Sequence, residues 1–545
     1  MAQRPMRWKA VISRWTLLPA VACAAVLMLG APAPVWAQAA SPHYDVLIRH
    51  GKLLDGTGNP WRYADVAFRG DRIVEVGQIP AGAQATTMVE ASGKYVSPGF
   101  IDTHSHAAPG IQTQELAAAL PILFQGITTV VINPDGGGPA DLRPQIADIE
   151  RQVPGVNVVL QIGHNAVRRA VMGMANRRPT REEQQRMEAL VREAMQLGAG
   201  GLSSGPFYVP GKYSDTQEIV GLAKVAAGFP GSWYTSHIRD ESSYDVGLLA
   251  AVDEVIQISR AAGIPAIVDH VKALGPAVWG QSREVIRRIE AARAQGLEVW
   301  ADQYPYEASG SDLQSSLVPG WAQEGGTQAL ARRLEDAAQR AQIRKEMAEN
   351  LVRRAGAGAI MVSRYAPDPS LEGKRLDAIA RQRSQEPLDV AIEMLINGGA
   401  SIVSFNMEEQ DVEAFMRQPW TMTCTDGALV KLGEGAEHPR AYGAFPRKIR
   451  HYVLERHVLT LEQAIHSMTG LAAAVFRLED RGEIRAGAMA DVVVFDPSTL
   501  ADVATYQKPH AYSKGMDYVF VNGQAAIAAG KIVPARHGRV LRRRR

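Results

Sequence analysis

Cysteine is almost absent: Cys23 and Cys424 are the only two in 545 residues. That is too few for a disulfide scaffold, a four-thiolate zinc site or an iron–sulfur cluster. A metal bound by this chain must therefore draw its ligands mainly from His, Asp or Glu. Net charge is equally scarce. Lys and Arg number 59 against 57 Asp and Glu, a formal charge of +2, so there is no global electrostatic reason to expect a nucleic-acid partner. No internal repeat is evident, and with 46% hydrophobic and 21% charged residues the composition excludes a disordered, collagen-like or coiled-coil chain.

Long apolar runs are also missing after residue 29. The one early run, Trp15 to Leu29, follows Arg4, Arg7, Lys9 and Arg14 and precedes Ala31-Pro32-Ala33-Pro34 and Val35-Trp36-Ala37. A basic head, an apolar middle and a small-residue exit read as a secretory signal peptide over residues 1–37, cleaved after Ala37. As a membrane anchor, the run falls short of the roughly 20 residues needed to span, and Pro19 interrupts it. Lipid attachment at Cys23 has the wrong order, because the stronger apolar run Ala24 to Leu29 follows it. The expectation is an exported protein, periplasmic or secreted, with no stable membrane span. Cleavage removes four basic residues and no acidic one, changing the formal charge from +2 to −2.

What is present falls into two textures. Short strand-like runs, Asp45 to Ile48, Val66 to Phe68 and Ile73 to Val76, are punctuated by Gly51, Gly56, Gly58, Gly70 and Gly77. The same texture returns in Ala490 to Phe495 and Tyr518 to Gly523, so residues 42–97 and 480–540 are expected to build one small β-sandwich together. Between them, eight apolar runs alternate with helical patterns: Phe100 to His104, Thr128 to Ile132, Val156 to Ile162, Gly200 to Ser204, Ser232 to His237, Pro265 to His270, Leu297 to Asp302 and Thr421 to Thr425. This α/β pattern predicts a (β/α)8 TIM-like barrel over residues 98–479, its near-continuous apolar strands fitting a sheet buried on both faces.

Residues 312–400, between runs seven and eight, exceed a normal connection. They carry helical patterns such as Ala329 to Ala355 and the run Ala359 to Val362, which predicts an inserted subdomain at the catalytic mouth. Residues 541–545 read as a disordered basic tail.

Active sites of such barrels lie at the C-terminal strand ends. The first run ends Asp102-Thr103-His104-Ser105-His106, and strand alternation puts His104 and His106 on one face, as a divalent metal requires. The fifth run ends on His237, the sixth on His270 and the eighth on Asp426. A single strand-end histidine is commonly structural, and Asp426-Gly427 alone reads as a turn. Two histidines on adjacent strands facing a His-x-His are not independent accidents.

These segments, with Gly126 to Val131, Gly163-His164, Arg168 to Gly173, Thr235 to Glu241, Tyr304-Pro305-Tyr306, His438-Pro439-Arg440 and Ala490 to Phe495, resemble the N-acyl-D-amino-acid deacylases (D-aminoacylases) of the amidohydrolase superfamily. The similarity runs in order from about residue 43 to about 540. The resemblance implies zinc, with one tight site and a second, weaker position. His237 and His270 correspond to ligands of the tight site, and His104, His106 and Asp426 to ligands of the weaker one. The family's cysteine at the end of the second strand is replaced by Asp135, which either ligates metal or merely shapes the turn Asn133 to Gly138. The fourth run holds no lysine between Gly200 and Gly205, so a carbamylated-lysine bridge is not available there. Lys272, Tyr304 and Arg440 match positions that hold the substrate α-carboxylate.

The implied activity is zinc-dependent hydrolysis of N-acyl-D-amino acids to a carboxylic acid and a D-amino acid, with Asp426 as general base and acid. The partner is a small N-acyl amino acid or related amide. Two alternatives stand beside it: an amidohydrolase for another amide, dipeptide or cyclic imide, and a non-catalytic metal-binding barrel.

Overall fold

The computed structural model describes residues 43–543. The predicted signal peptide and the last two residues of the predicted tail lie outside them.

Eight short runs pair side by side in chain order: Phe100–Ser105, Ile127–Ile132, Asn157–Gly163, Gly201–Ser204, Trp233–Ser236, Ala266–Val268, Val299–Gln303 and Thr421–Thr423, here barrel strands 1 to 8. Each neighbouring pair is parallel. Apart from Trp300, every residue in them is buried, as a sheet covered on both faces demands. Closure comes just past the end of strand 8, where Asp426 N–H donates to the His104 carbonyl at 2.9 Å and His106 N–H donates to the Gly427 carbonyl at 3.0 Å. An outer layer of helices, including Leu142–Gln152, Arg181–Gln196, Thr216–Ala227, Leu248–Ala262 and Ser282–Ala294, turns its apolar faces to this sheet. Asp141, Thr180 and Asp215 cap three of them.

The two chain ends build one nine-stranded sheet in which Tyr95–Pro98 pairs antiparallel with Val492–Phe495. It is continuously hydrogen-bonded, yet it folds over on itself as a sandwich does. Phe68 and Phe520 lie on strands four places apart, which a flat sheet would separate by roughly 19 Å. Their rings meet at 5.4 Å, with Val46, Ile48, Val66, Val492 and Val494 in the same core. A buried polar cluster joins this unit to the barrel: Asp491 pairs with Arg481 and accepts from Asn157 at the start of barrel strand 3, and Asn522 donates to Asn157 at 2.8 Å.

The insertion is a real subdomain with wider limits than the helical pattern marks. It has a three-stranded antiparallel sheet, Ala308–Asp312 beside Ser401–Phe405 beside Ile360–Arg364, and a core including Leu330, Leu334, Ile343 and Met347. Its central strand, Ser401–Phe405, and all but the last residue of Ala308–Asp312 lie outside the expected 312–400. The expected helix Ala329 to Ala355 is two helices, Thr327–Glu335 and Ala337–Arg353, because the Asp336 carboxylate caps the second through Gln339 N–H at 2.8 Å. Residues 541–543 also depart from a disordered tail. Val540–Leu541 pairs with Val158 and Val159 of strand 3, and Arg542 forms an ion pair with Glu150 at 2.5 Å. Among the described residues no helix is long and apolar enough to cross a membrane.

Behind strand 8 lies a buried lysine. Lys448 Nζ donates to the hydroxyls of Thr423 and Ser467, both at 2.8 Å, and burial pushes its pKa down to about 7. An unfolded lysine titrates near 10.4, so between about pH 7 and 10 the unfolded chain binds the extra proton and this group makes stability rise with pH. In Lys448→Met, urea unfolding midpoints are expected to lose that part of the slope between pH 7 and pH 10. A wild-type slope retained by the variant refutes the assignment.

Candidate metal centre

The residues that converge on the barrel mouth leave their strands by unusual backbone turns. Asp135, His270 and Asp426 all have positive φ, at 57°, 34° and 47°, a strain that non-glycine residues accept at sites where the surroundings impose it. The Asp135 turn is the most tightly held. Gly136 N–H donates to Ser203 Oγ at 3.2 Å, and that hydroxyl donates to the Asn133 carbonyl at 2.6 Å. Gly163 and Gly205 make room: a Cβ at Gly163 would lie 2.1 Å from the Gly137 carbonyl oxygen, and one at Gly205 would lie 2.2 Å from that of Asp135.

That packing places the Asp135 carboxylate among four imidazoles. Its Oδ1 lies 3.4 Å from His104 Nε2, 3.6 Å from His237 Nδ1 and 3.5 Å from His270 Nε2, and its Oδ2 lies 3.3 Å from His106 Nε2. Asp426 Oδ1 approaches His106 Nε2 at 3.2 Å and His104 Nε2 at 3.7 Å. Among the described residues four donor groups each fit around one ion: His104, His106 and Asp426; His104, Asp135 and His270; His237, Glu241 and His270; and His104, Asp269 and Asp302. A metal also fits the atoms left over. Among the described residues His104 Nε2, His237 Nε2 and Asp135 Oδ1 find no hydrogen-bond partner although buried, a costly condition that coordination would relieve. The donors are nitrogen and oxygen throughout, a set that zinc accepts.

The electrostatics follow from crowding. Burial pushes the Asp135 carboxyl up, but His104 and the ring nitrogens of His106, His237 and His270 outweigh it and hold the group well below its ordinary value. Asp426 behaves alike, burial being overcome by Arg440 and His106. Burial lowers His104 to about 4, which keeps it neutral. At His106 burial lowers as well, but hydrogen bonds to Asp135 and Asp426 win and carry it to about 9. At His270 burial and Lys272 lower the pKa, but Glu241 and Asp135 win and carry it to about 10, so the carboxylates draw positive charge to two of the four rings.

All three residues expected to hold a carboxylate line the same cavity of about 760 Å3. Arg440 Nη1 pairs with Asp426 Oδ2 at 2.7 Å and its guanidinium lies 4.6 Å from the Tyr304 ring. The buried Tyr304 hydroxyl has no hydrogen-bond partner among the described residues. Lys272 Nζ is already engaged, by Glu241 and by His270 Nδ1 at 2.7 Å.

Sequence reasoning missed Glu241, which touches Lys272 and lies 3.1 Å from His270 Nδ1, and the buried carboxylates of Asp102, Asp269 and Asp302 beneath the centre. Asp102 accepts from Thr425 N–H at 2.8 Å, and Asp302 accepts from His270 N–H at 2.6 Å. A signal existed: an acid inside an almost wholly apolar strand is expensive, so Asp102 and Asp302 each ask for a reason.

A model described as "Amidohydrolase family" matches residues 87–527. The chain belongs to the amidohydrolase family. Within it this amidohydrolase sits on the D-aminoacylase branch. It is 35% identical to the N-acyl-D-glutamate deacylase of Alcaligenes xylosoxydans xylosoxydans, covering 92% of this chain and 96% of that one. It is 34% identical to the D-aminoacylase of the same organism, covering 93% and 99%. Among solved structures, the N-acyl-D-glutamate deacylase of Bordetella bronchiseptica, complexed with zinc and a phosphonate inhibitor, superposes with a TM-score of 0.77 at 34% identity, covering 92% of this amidohydrolase and all of that chain.

The contacts of Asp135 with all four histidines predict a ligand. Metal analysis after dialysis is expected to find less metal in Asp135→Ala than in wild type and retention in Asp135→Cys. Unchanged metal in Asp135→Ala would show that the residue only shapes its turn.

Proposed function

We propose that this amidohydrolase cleaves the amide bond of N-acyl-D-amino acids, releasing a carboxylic acid and a D-amino acid, with zinc as its resident metal. The observation that carries this reading is a four-histidine, two-aspartate cluster, all but His104 lining one cavity, together with Arg440 and the unpartnered hydroxyl of Tyr304 on the same cavity. The D-aminoacylase relatives support it. In the assignment, His237, His270 and Asp135 hold the tight zinc, and His104, His106 and Asp426 surround the second, weaker position.

Zinc bound there supplies Lewis-acid polarisation of a carbonyl and lowers the pKa of a water to about 7. The chain does the rest. Asp426, kept ionised by Arg440, accepts the proton of the attacking water and returns it to the departing amine nitrogen. Arg440 and Tyr304 grip the α-carboxylate, and Lys272 adds positive charge on that side. Holding the carboxylate while the acyl carbonyl faces the metal leaves one enantiomer productively oriented. Residues 1–37 are read as an export signal, which puts the reaction in the periplasm or outside the cell.

Asp426→Asn keeps the volume but loses the base. Turnover of an N-acetyl-D-amino acid is expected to fall by about 10²- to 10⁴-fold, with the metal of the tight site retained. Full activity in that variant overturns the mechanism, and equal turnover of the L enantiomers overturns the stereochemical assignment.

A further inference from the structure

We infer that Asp269 is a positioning residue for the second metal position: its carboxylate accepts the Nδ1 proton of His104 from behind and so aims Nε2 at the metal. The inference rests on the assignment of His104 to that position and goes beyond it, because Asp269 has no part in the assignment itself.

His104 stands between carboxylates. Its Nε2 faces Asp135 Oδ1 at 3.4 Å and Asp426 Oδ1 at 3.7 Å, while its Nδ1 faces Asp269 Oδ2 at 3.5 Å. Both His104 and Asp269 are 1% exposed, so bulk water serves neither. A neutral imidazole carries one N–H. Once Nε2 ligates a metal that proton sits on Nδ1, and a ligating histidine almost always gives it to an acceptor.

Elimination picks the acceptor. Three acids lie beneath the centre, and two are occupied. Asp102 spends its oxygens on the Thr425 N–H and hydroxyl, and Asp302 spends its own on the His270 N–H at 2.6 Å and the Thr103 hydroxyl at 2.7 Å. Neither oxygen of Asp269 has a hydrogen-bond partner among the described residues. The Thr235 hydroxyl, on neighbouring strand 5, donates to Gln161 Oε1 at 3.1 Å. A buried carboxylate with nothing to accept therefore faces a buried ring nitrogen that gains a proton when metal binds. Their separation exceeds hydrogen-bond length by a few tenths of an ångström, and that proton is what closes it.

The strand explains why an acid stands there. Ile267 packs with Ile101, Val131, Val159 and Met422, drawn from four other barrel strands, in one apolar cluster. The Asp269 N–H still donates to the Ser236 carbonyl at 2.9 Å, so the strand geometry continues and alternation turns Asp269 to the same side as Ile267, one layer nearer the mouth. Apolar filling is the rule inside such barrels, and it is given up here directly behind His104. A carboxylate on Nδ1 fixes the tautomer and the ring plane and raises the basicity of Nε2, so His104 holds the second ion more tightly than a ring free to turn.

The test titrates the metal-free chain with Zn2+ against a chromophoric chelator and reads each equivalent separately. Wild type is expected to take two equivalents of unequal affinity. In Asp269→Ala the weaker dissociation constant is expected to rise by about 10- to 100-fold while the tighter one stays. Asp269→Asn, which keeps the volume and a neutral acceptor, is expected to fall between. An unpartnered buried acid is a cost when no metal is bound, so the metal-free urea midpoint is expected not to drop in Asp269→Asn. A lowered midpoint with equal weakening of both equivalents marks a structural residue and overturns the inference, as does an unchanged weaker constant in Asp269→Ala. A third equivalent in wild type that Asp269→Ala abolishes makes Asp269 a ligand, with His104 and Asp302, and overturns it too. A single equivalent in wild type removes the second position and this inference together, leaving the tight site standing.

Discussion

Backbone hydrogen bonds from Asp426 to His104 and from His106 to Gly427 sew the last barrel strand to the first, and three of the residues they join, His104, His106 and Asp426, bring their side chains together in one candidate metal-binding group. Beneath the seam, Asp102 accepts from both the N–H and the hydroxyl of Thr425, tying strand 1 to strand 8 a second time. Barrel closure and site assembly are consequently one event. A chain that fails to close has no His104–His106–Asp426 corner, and a disturbed corner loosens the closing contacts.

The opposite corner is organised around charge. Asp135 stands between imidazoles contributed by strands 1, 5 and 6, in a turn accommodated by the missing side chains of Gly163 and Gly205. A carboxylate at this point offers two oxygens where a thiolate offers one sulfur, so it can reach histidines on both sides at once. It is also harder and less polarisable, so as a ligand it would favour harder cations than a thiolate does. Glu241 and Lys272 then orient His270 from behind, the outer support on which ligand geometry usually depends.

Much of this was legible in the residues. Eight apolar runs mark the barrel strands almost to the residue, because a parallel sheet buried on both faces allows little else, and the strand-end histidines point to the site because the fold gathers strand ends. Asp135 is different. Its turn reads as a loop whichever role the carboxylate plays, and nothing local in the sequence shows that four imidazole rings approach it. Residues 308–312 escaped recognition as a strand because Ser, Gly and Asp dilute them, and the short run Ser401–Phe405 lacks a recognisable partner without them, so the insertion looked narrower than it is. Asp336 interrupts a helical pattern whose periodicity runs on, and capping rather than hydrophobic pattern decides the break.

The pairing of Tyr95–Pro98 with Val492–Phe495 has a bearing on the order of events during synthesis. The early strands emerge from the ribosome with an open edge, and their partner is made only after nearly 400 more residues have followed. Until then the half-sheet cannot complete the core shared by Phe68 and Phe520. Contacts of such long sequence separation form late and slowly. The β unit thus acts as a completion check, locking only when the whole barrel has been made between its halves.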